Sequence, residues 1–489
     1  MPGEYFEARE RALLGARYDA LYTAPGPVRR GVTVNGLRCT PREFAAAIDF
    51  GAEPSPFCSA AFLLTDPELR PGRHAYHHAG VFYVQEPSAS VPAGLLDVRP
   101  GERVLDLCAA PGGKTSQLAA ALRGEGLLVA NEYVAARASV LKSNLERMGV
   151  ANALVLNEST ARVAAAFPAF FDKVLVDAPC SGEGMFRKEP EALRQHSAAL
   201  VAQCAALGAS ILDDAAASLR PGGLLCYSTC TFAPEEDEAQ VGAFLGRHPE
   251  FSALPAPTGA GAPGEAARCG AHPFAAECAR RIYPCHGGEG HFMALLQKQG
   301  ESAPLGAQQG GLYSDSAEDM QRCAARGPRS AKRGKDLRPG RGTQGKDGAS
   351  QAEARAAGTA FLREYFPVLV DLPLEGRGTE LFVAPQAGFR TPEALRVVQA
   401  GVCAGSAARG RFVPAHNLFT AYGAHCANAE RLTLEDPRTA AWLRGEEIPA
   451  VTAAPGWTAV LVDGFPLGLG KQSGGMVKNH YPKGLRNLK

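Results

Sequence analysis

Residues 104–115, VLDLCAAPGGKT, constrain the fold more than any other stretch of the chain. Val104 and Leu105 open a short apolar run of buried-strand type, and Asp106 to Cys108 carry it to its C-terminal end. Ala109, Ala110, Pro111, Gly112 and Gly113 then make a loop of small residues, and Lys114 opens a helical pattern, TSQLAAAL. In an open α/β sheet, ligands sit beyond the carboxyl ends of the strands, where small residues let the backbone approach and helix N–H groups face outward. Taken alone, the loop also suits a tight strand-to-helix turn with no ligand. A phosphate-binding P-loop needs glycine five residues before Gly113, where Cys108 stands, and the dinucleotide fingerprint G-x-G-x-x-G is absent. What remains is a nucleoside cofactor held by backbone, with an acidic residue one strand later for its ribose. Glu132, just after the apolar run Gly126 to Ala130, occupies that place.

From 100 to 297 strand and helix patterns alternate, the signal of a mostly parallel sheet covered on both faces. A helix runs through Arg147, and a third strand, Ala153 to Leu156, ends at Asn157 and Glu158. A strand from Lys173 to Val176 ends in Asp177-Ala178-Pro179-Cys180. A helical period follows at Leu193, Leu200, Cys204, Leu207, Ile211, Ala215 and Leu219, and Pro221-Gly222-Gly223 is expected to stop it. The strand Leu224 to Tyr227 runs into Ser228-Thr229-Cys230-Thr231. Glu235-Glu236-Asp237-Glu238 reads as an acidic helix start, which the helix dipole favours. Residues 281–284 and 290–297 close the sheet.

At 489 residues the chain is too long for one ordinary domain. The expected partition is 1–95, a region with Arg29, Arg30, Arg38 and Arg42 placed to meet phosphates; 96–297, the α/β domain; 298–357, a basic linker; 358–427, an intermediate domain; and 428–489, a β-rich module with a basic end. The linker concentrates Arg329, Lys332, Arg333, Lys335, Arg338, Arg341 and Lys346. In the intermediate domain Phe361, Tyr365 and Phe366 are core candidates, and Leu381 to Val383 a strand. The last module sets two strands around Asp463-Gly464, and its tail carries Lys471, Lys478, Lys483, Arg486 and Lys489. No apolar run is read as approaching membrane-spanning length, and the polar start has no signal-peptide core. Thirteen cysteines without compact spacing point to reduced thiols and a cytoplasmic location.

Cys180 and Cys230 follow two strands of the same sheet, on the edge that carries Asp106, Glu132 and Asp177. A free cysteine is often a small buried hydrophobe, but both lie among polar, turn-forming residues. A tyrosine-phosphatase loop needs five residues between Cys and Arg, whereas six separate Cys180 from Arg187. Cys226 and Cys230 lack a second ligand pair for zinc, and His74, His77 and His78 lack a completing cysteine or carboxylate, so no metal is expected. One chemistry asks for the whole set. Carbon 5 of cytosine cannot attack a methyl donor unaided; a thiolate adding to carbon 6 makes it enamine-like, provided a group at N3 offsets the developing charge. The carbon-5 proton must then leave so that the thiol is eliminated.

The segments YVQEPSAS, DLCAAPGGKT, DAPCSGEGMFRK and YSTCTFAPEEDE resemble, in order and spacing, the Nop/Sun (NSUN) family of S-adenosylmethionine-dependent RNA cytosine-5 methyltransferases. GEGHFMALL and GFPLGLGK with KNHYPKGLR are similar to its bacterial 16S ribosomal-RNA subgroup, RsmF, which carries a PUA-like C-terminal module. The resemblance implies a Rossmann-like methyltransferase domain with an N-terminal RNA-binding region and C-terminal α+β and PUA-like modules. It implies that Cys108, Ala109, Ala110, Pro111, Gly112, Gly113 and Lys114 line the methyl-donor site. Glu132 would hold the ribose, Glu158 or Asn157 the adenine, and Asp177 would face the cytosine beside the donor. The nucleophile falls on Cys230 and the release cysteine on Cys180, with Lys114 also reaching the base. Asp237 replaces the family's usual asparagine. Pro179-Cys180 also matches the nucleophile dipeptide of DNA cytosine methyltransferases, an assignment that predicts opposite mutant behaviour. A transfer-RNA substrate, a non-catalytic RNA-binding assembly factor and a P-loop hydrolase are the other readings. The expected partner is RNA, 16S rRNA or the small ribosomal subunit, with no membrane and a monomeric chain.

Overall fold

The computed structural model describes residues 4–301, 351–386, 388–408 and 411–487. The chain divides into two compact units, one of Met1–Ser302 with Glu393–Gln399 and the other of Ala303–Pro392 with Ala400–Lys489.

The first unit is built on a ten-stranded sheet. Its middle strands, Ala153–Leu156, Leu127–Asn131, Arg103–Asp106, Phe171–Asp177 and Leu219–Thr229, lie side by side in that order and all run parallel. Val104, Leu105, Leu128, Val129, Leu154, Val155, Val174 and Leu175 are fully buried, as near-continuous apolar strands must be when helices cover both faces. The chain runs outward from Arg103–Asp106 through two strands, then returns to the other side of the first with Phe171–Asp177. The order therefore reverses between Asp106 and Asp177, which opens a crevice at their carboxyl ends. His291–Lys298 pairs antiparallel with Leu219–Thr229 and extends the sheet toward Arg280–Ile282 and Ala262–Pro263. At the other edge, next to Ala153–Leu156, lies Val397–Ala400. A separate antiparallel sheet of Ala52–Pro54, Ala61–Leu64, Gly31–Val34 and Phe82–Gln85 precedes this one.

Several elements differ from expectation. The long helix is Ala198–Ser218, with Leu193 on a separate short helix, Pro190–Gln195. It ends before Leu219, which already begins the next strand, so Pro221-Gly222-Gly223 lies inside that strand and does not stop the helix. A register shift between Phe171 and Lys173, with Gly222 at φ 77, absorbs the three residues as an irregularity in the pairing. The same helix is also long and apolar enough to cross a membrane by length and composition, contrary to expectation. Its alanines raise the hydropathy, but Val201, Ile211, Leu212 and Ala215 pack inward, and Asp213 and Asp214 bond Arg247, His248 and Thr160. The acidic run does lead into a helix, Glu238–Arg247 with Asp237 just before it, but Glu236, Asp237 and Glu238 are buried.

In the second unit, the helix Gln351–Tyr365 begins inside the stretch read as linker, whose seven basic residues lie outside the described residues. A four-stranded antiparallel sheet, Leu374–Arg377, Glu380–Val383, Val402–Ala408 and Arg411–Pro414, is followed by a five-stranded one around the hairpin Gly456–Val462 and Phe465–Ser473. Phe361, Leu362, Phe366, Leu381, Leu418, Phe419, Leu461 and Leu469 form one apolar cluster. Tyr365 packs against it from a partly buried position.

Candidate active site

The loop after Asp106 is held open by its neighbours. Asn144 Nδ2 donates to the Pro111 carbonyl at 2.8 Å and Arg137 to that of Ala110 at 2.8 Å, while Ala109 N–H donates to Asn131 O at 2.8 Å. Gly112 sits at φ 112, in the left-handed region that glycine tolerates, and starts the helix Gly113–Leu122. A side chain at Gly113 would press on the Tyr83 ring and the Gln85 amide, at 3.1 and 3.2 Å. Both glycines are therefore dictated by the fold as well as suited to a ligand.

Three carboxylates stand along this edge. Asp106 is buried, accepts from the Thr115 hydroxyl at 2.7 Å and leaves Oδ1 without a hydrogen-bond partner; burial pushes its carboxyl up to about 7. Glu132, one residue past its strand, accepts the Val134 N–H at 2.8 Å and lies 3.6 Å from Arg137. Glu158 is engaged at both oxygens, by the Arg396 N–H at 2.7 Å and the Arg162 guanidinium at 2.7 Å. Asn157 donates to the carbonyls of Glu132 and Tyr133 and accepts from the Arg396 guanidinium at 3.1 Å. Neither side chain of this pair offers a free acceptor in this arrangement. An orphaned buried carboxylate oxygen, an acidic residue at the next strand end and a glycine loop closed by a helix N-terminus together fit the amine, ribose and carboxylate of S-adenosylmethionine.

Across the crevice Lys114 Nζ lies 2.7 Å from Asp177 Oδ2, and the Ser228 hydroxyl donates to Asp177 Oδ1 at 2.7 Å. Burial opposes both charges, but their mutual attraction outweighs it: the Lys114 ammonium is raised and the Asp177 carboxyl lowered from ordinary values. Three residues past Asp177 and one past Thr229, the two cysteines meet, Sγ to Sγ at 3.4 Å. The contact with Cys230 and burial push the Cys180 thiol well above its usual range, so Cys180 keeps its proton, and either sulfur can donate across the contact. Cys108, also expected at the site, is driven up by burial and by the neighbouring carboxylates and stays a thiol. The twelve described cysteines are all free.

The cysteine loops are braced by Glu183, which sequence reasoning did not single out, and by the acidic run. Glu183 accepts both Arg9 nitrogens at 2.9 and 2.7 Å, His196 at 2.7 Å and the Phe232 N–H at 3.1 Å. Glu236 accepts the Ser181 N–H, and Asp237 accepts the Thr229 hydroxyl and faces Arg281 at 2.9 Å. The acidic run thus anchors strand ends, and Asp237 has a structural part. Farther out, the phosphate-facing arginines are reduced in number. Arg30 bonds the carbonyls of Asp66, Pro67 and Leu69, and Arg38 packs on Gly149, while Arg29 pairs with Glu53 at the surface and Arg42 is exposed.

Comparison with known proteins follows the same outline. The family "16S rRNA methyltransferase RsmB/F" matches residues 93–297, the "N-terminal domain of 16S rRNA methyltransferase RsmF" residues 1–87, and the "Methyltransferase RsmF PUA domain" residues 429–487. The chain is 32% identical over 496 residues to the ribosomal RNA small subunit methyltransferase F of Klebsiella pneumoniae (strain 342), across 99% of this chain and 96% of the relative. It is 31% identical to the protein of that name in Enterobacter sp. (strain 638), across 99% and 95%. Among solved structures, a methyltransferase homolog protein from Pyrococcus horikoshii aligns with TM-score 0.54 and 30% identity over 60% of this chain and 94% of its own. NSun6 from the same organism aligns with TM-score 0.51 and 19% identity, over 61% and 98%.

Proposed function

The chain belongs to the family of ribosomal RNA small subunit methyltransferase F proteins, S-adenosylmethionine-dependent RNA methyltransferases, and from that premise we propose that it methylates carbon 5 of a cytosine in 16S rRNA through a covalent cysteine adduct. The observation that carries this reading is the 3.4 Å pair of sulfurs, Cys180 and Cys230, next to the Lys114–Asp177 ion pair where the strand order reverses.

When bound, S-adenosylmethionine supplies an electrophilic methyl group. Residues 108–114 would cradle it, with Glu132 holding the ribose hydroxyls and the Asn157-Glu158 turn framing the adenine. The Cys230 thiolate adds to carbon 6, and the negative charge displaced toward N3 is offset by the Lys114 ammonium, which Asp177 holds in place at 2.7 Å. Carbon 5, now enamine-like, takes the methyl group. Its proton then passes to a base in the crevice, the carbon 5–carbon 6 double bond re-forms, and the Cys230 sulfur departs. Cys180, holding its proton beside that sulfur, hydrogen-bonds the leaving thiolate and assists release.

The target must leave its stack for carbon 6 to be reached. Residues 1–95, with Arg29 and Arg42 at the surface, and the modules 358–427 and 428–489 select it. Bisulfite mapping of 16S rRNA from cells with and without the gene tests the reading: one or more cytosines should lose protection in the deletion. Unchanged rRNA with a lost site in transfer RNA would move the substrate class, and no lost site in any RNA would overturn the proposal.

A further inference from the structure

His291 opens the last long strand of the methyltransferase sheet, where its neighbour Phe292 pairs with Thr229, one residue before Cys230. The residue is 4% exposed, yet neither ring nitrogen has a hydrogen-bond partner. Burying an imidazole with both nitrogens unbonded is costly, and such groups in folded proteins ordinarily find a partner. Its Nε2 lies 4.0 Å from Asp177 Oδ1, too far for a bond between them. Burial, with Lys114 nearby, holds the ring neutral down to about pH 4, so it has one nitrogen lone pair to offer. Lys114 takes one Asp177 oxygen and Ser228 already bonds the other, so a second acceptor beside Asp177 has a use.

Resting on the cytosine reading above, we propose that His291 is a substrate-contacting residue that accepts one hydrogen of the target cytosine's exocyclic amino group, while Asp177 accepts the other. Two acceptors 4.0 Å apart can share the two hydrogens of one NH2. Uracil, with a carbonyl oxygen at that position, meets two acceptors and is refused. The ring thereby gains in the complex the bond it lacks in the free enzyme.

The test is a cycle of enzyme and substrate variants on full-length protein. His291→Phe keeps the ring's bulk without its nitrogens, and His291→Gln restores an acceptor; the RNA carries cytosine or N4-methylcytosine at the mapped target. Expected are a fall in kcat/KM of about 10- to 100-fold for His291→Phe on cytosine, substantial recovery in His291→Gln, and unchanged affinity for S-adenosylmethionine. N4-methylation of the base should slow the wild type and add little to His291→Phe. Wild-type rates in His291→Phe, losses of equal size in both variants, or fully additive losses from the base and the side chain would each overturn the proposal. Wild-type enzyme that leaves carbon 5 unmethylated would overturn the cytosine reading itself, and this inference with it.

Discussion

Glu183 provides a quantitative test of how the cysteine loops are held. Its side chain is fully enclosed, bonded to Arg9, His196 and the Phe232 N–H. Burial opposes its charge, but His196 and Arg9 hold the carboxyl down at about 2, against an ordinary 4.5. That difference corresponds to about 3 kcal/mol of folded-state stability at neutral pH. Because the folded value is depressed, the contribution is complete above about pH 4.5 and is lost as pH falls through about 2. Glu183→Gln, neutral throughout, should therefore be less stable than wild type by about 3 kcal/mol at pH 7, a gap narrowing to about 1.4 kcal/mol at pH 3. Urea unfolding followed by far-ultraviolet circular dichroism measures it. Both tryptophans, Trp442 and Trp457, belong to the second unit, so tryptophan emission identifies that unit's transition and leaves the other to be assigned to the first. A gap that is absent at pH 7, or that does not shrink between pH 7 and pH 3, would refute the account of these braces.

Further expectations concern the crevice itself. Glu132→Ala should weaken S-adenosylmethionine binding about 10- to 100-fold by isothermal titration, through loss of the ribose bonds, with the fold unchanged. Asp177→Asn should lower kcat by about 10²- to 10³-fold in single-turnover methylation, because the Lys114 ammonium that offsets the charge developing at N3 loses the carboxylate that holds it. Arg396→Ala removes one bond to Asn157 but spares the backbone N–H to Glu158, so donor affinity should fall by less than about tenfold in the same titration.

The strand–loop–helix at 104–115 and the cysteine placements were legible because their information is local: apolar runs, small loop residues and strand-ending polar groups lie next to each other in the chain. The partners that complete them lie far away. Arg396 reaches Glu158 and Asn157 from more than 230 residues along the chain, and no periodicity announces that Val397–Ala400 joins the sheet edge. Pro221-Gly222-Gly223 looked like a helix stop because a bulge is set by the partner strand, not by the bulged residues alone. The acidic run Glu235–Glu238 reads in sequence only as dipole charge at a helix start because its buried partners, Ser181, Thr229 and Arg281, come from three other segments. His291 lies in the quoted segment GEGHFMALL, but its part is marked only by the unbonded nitrogens beside Asp177.

The most direct test of the central claim is covalent. Full-length protein, Cys180→Ala and Cys230→Ala are each incubated with S-adenosylmethionine and small-subunit rRNA, denatured and resolved by gel and mass spectrometry. A denaturation-resistant RNA adduct that accumulates in Cys180→Ala, maps to Cys230 and is absent in Cys230→Ala is the predicted result. An adduct that persists in Cys230→Ala and maps to Cys180 would contradict it and transfer the nucleophile's part to the Pro179-Cys180 dipeptide.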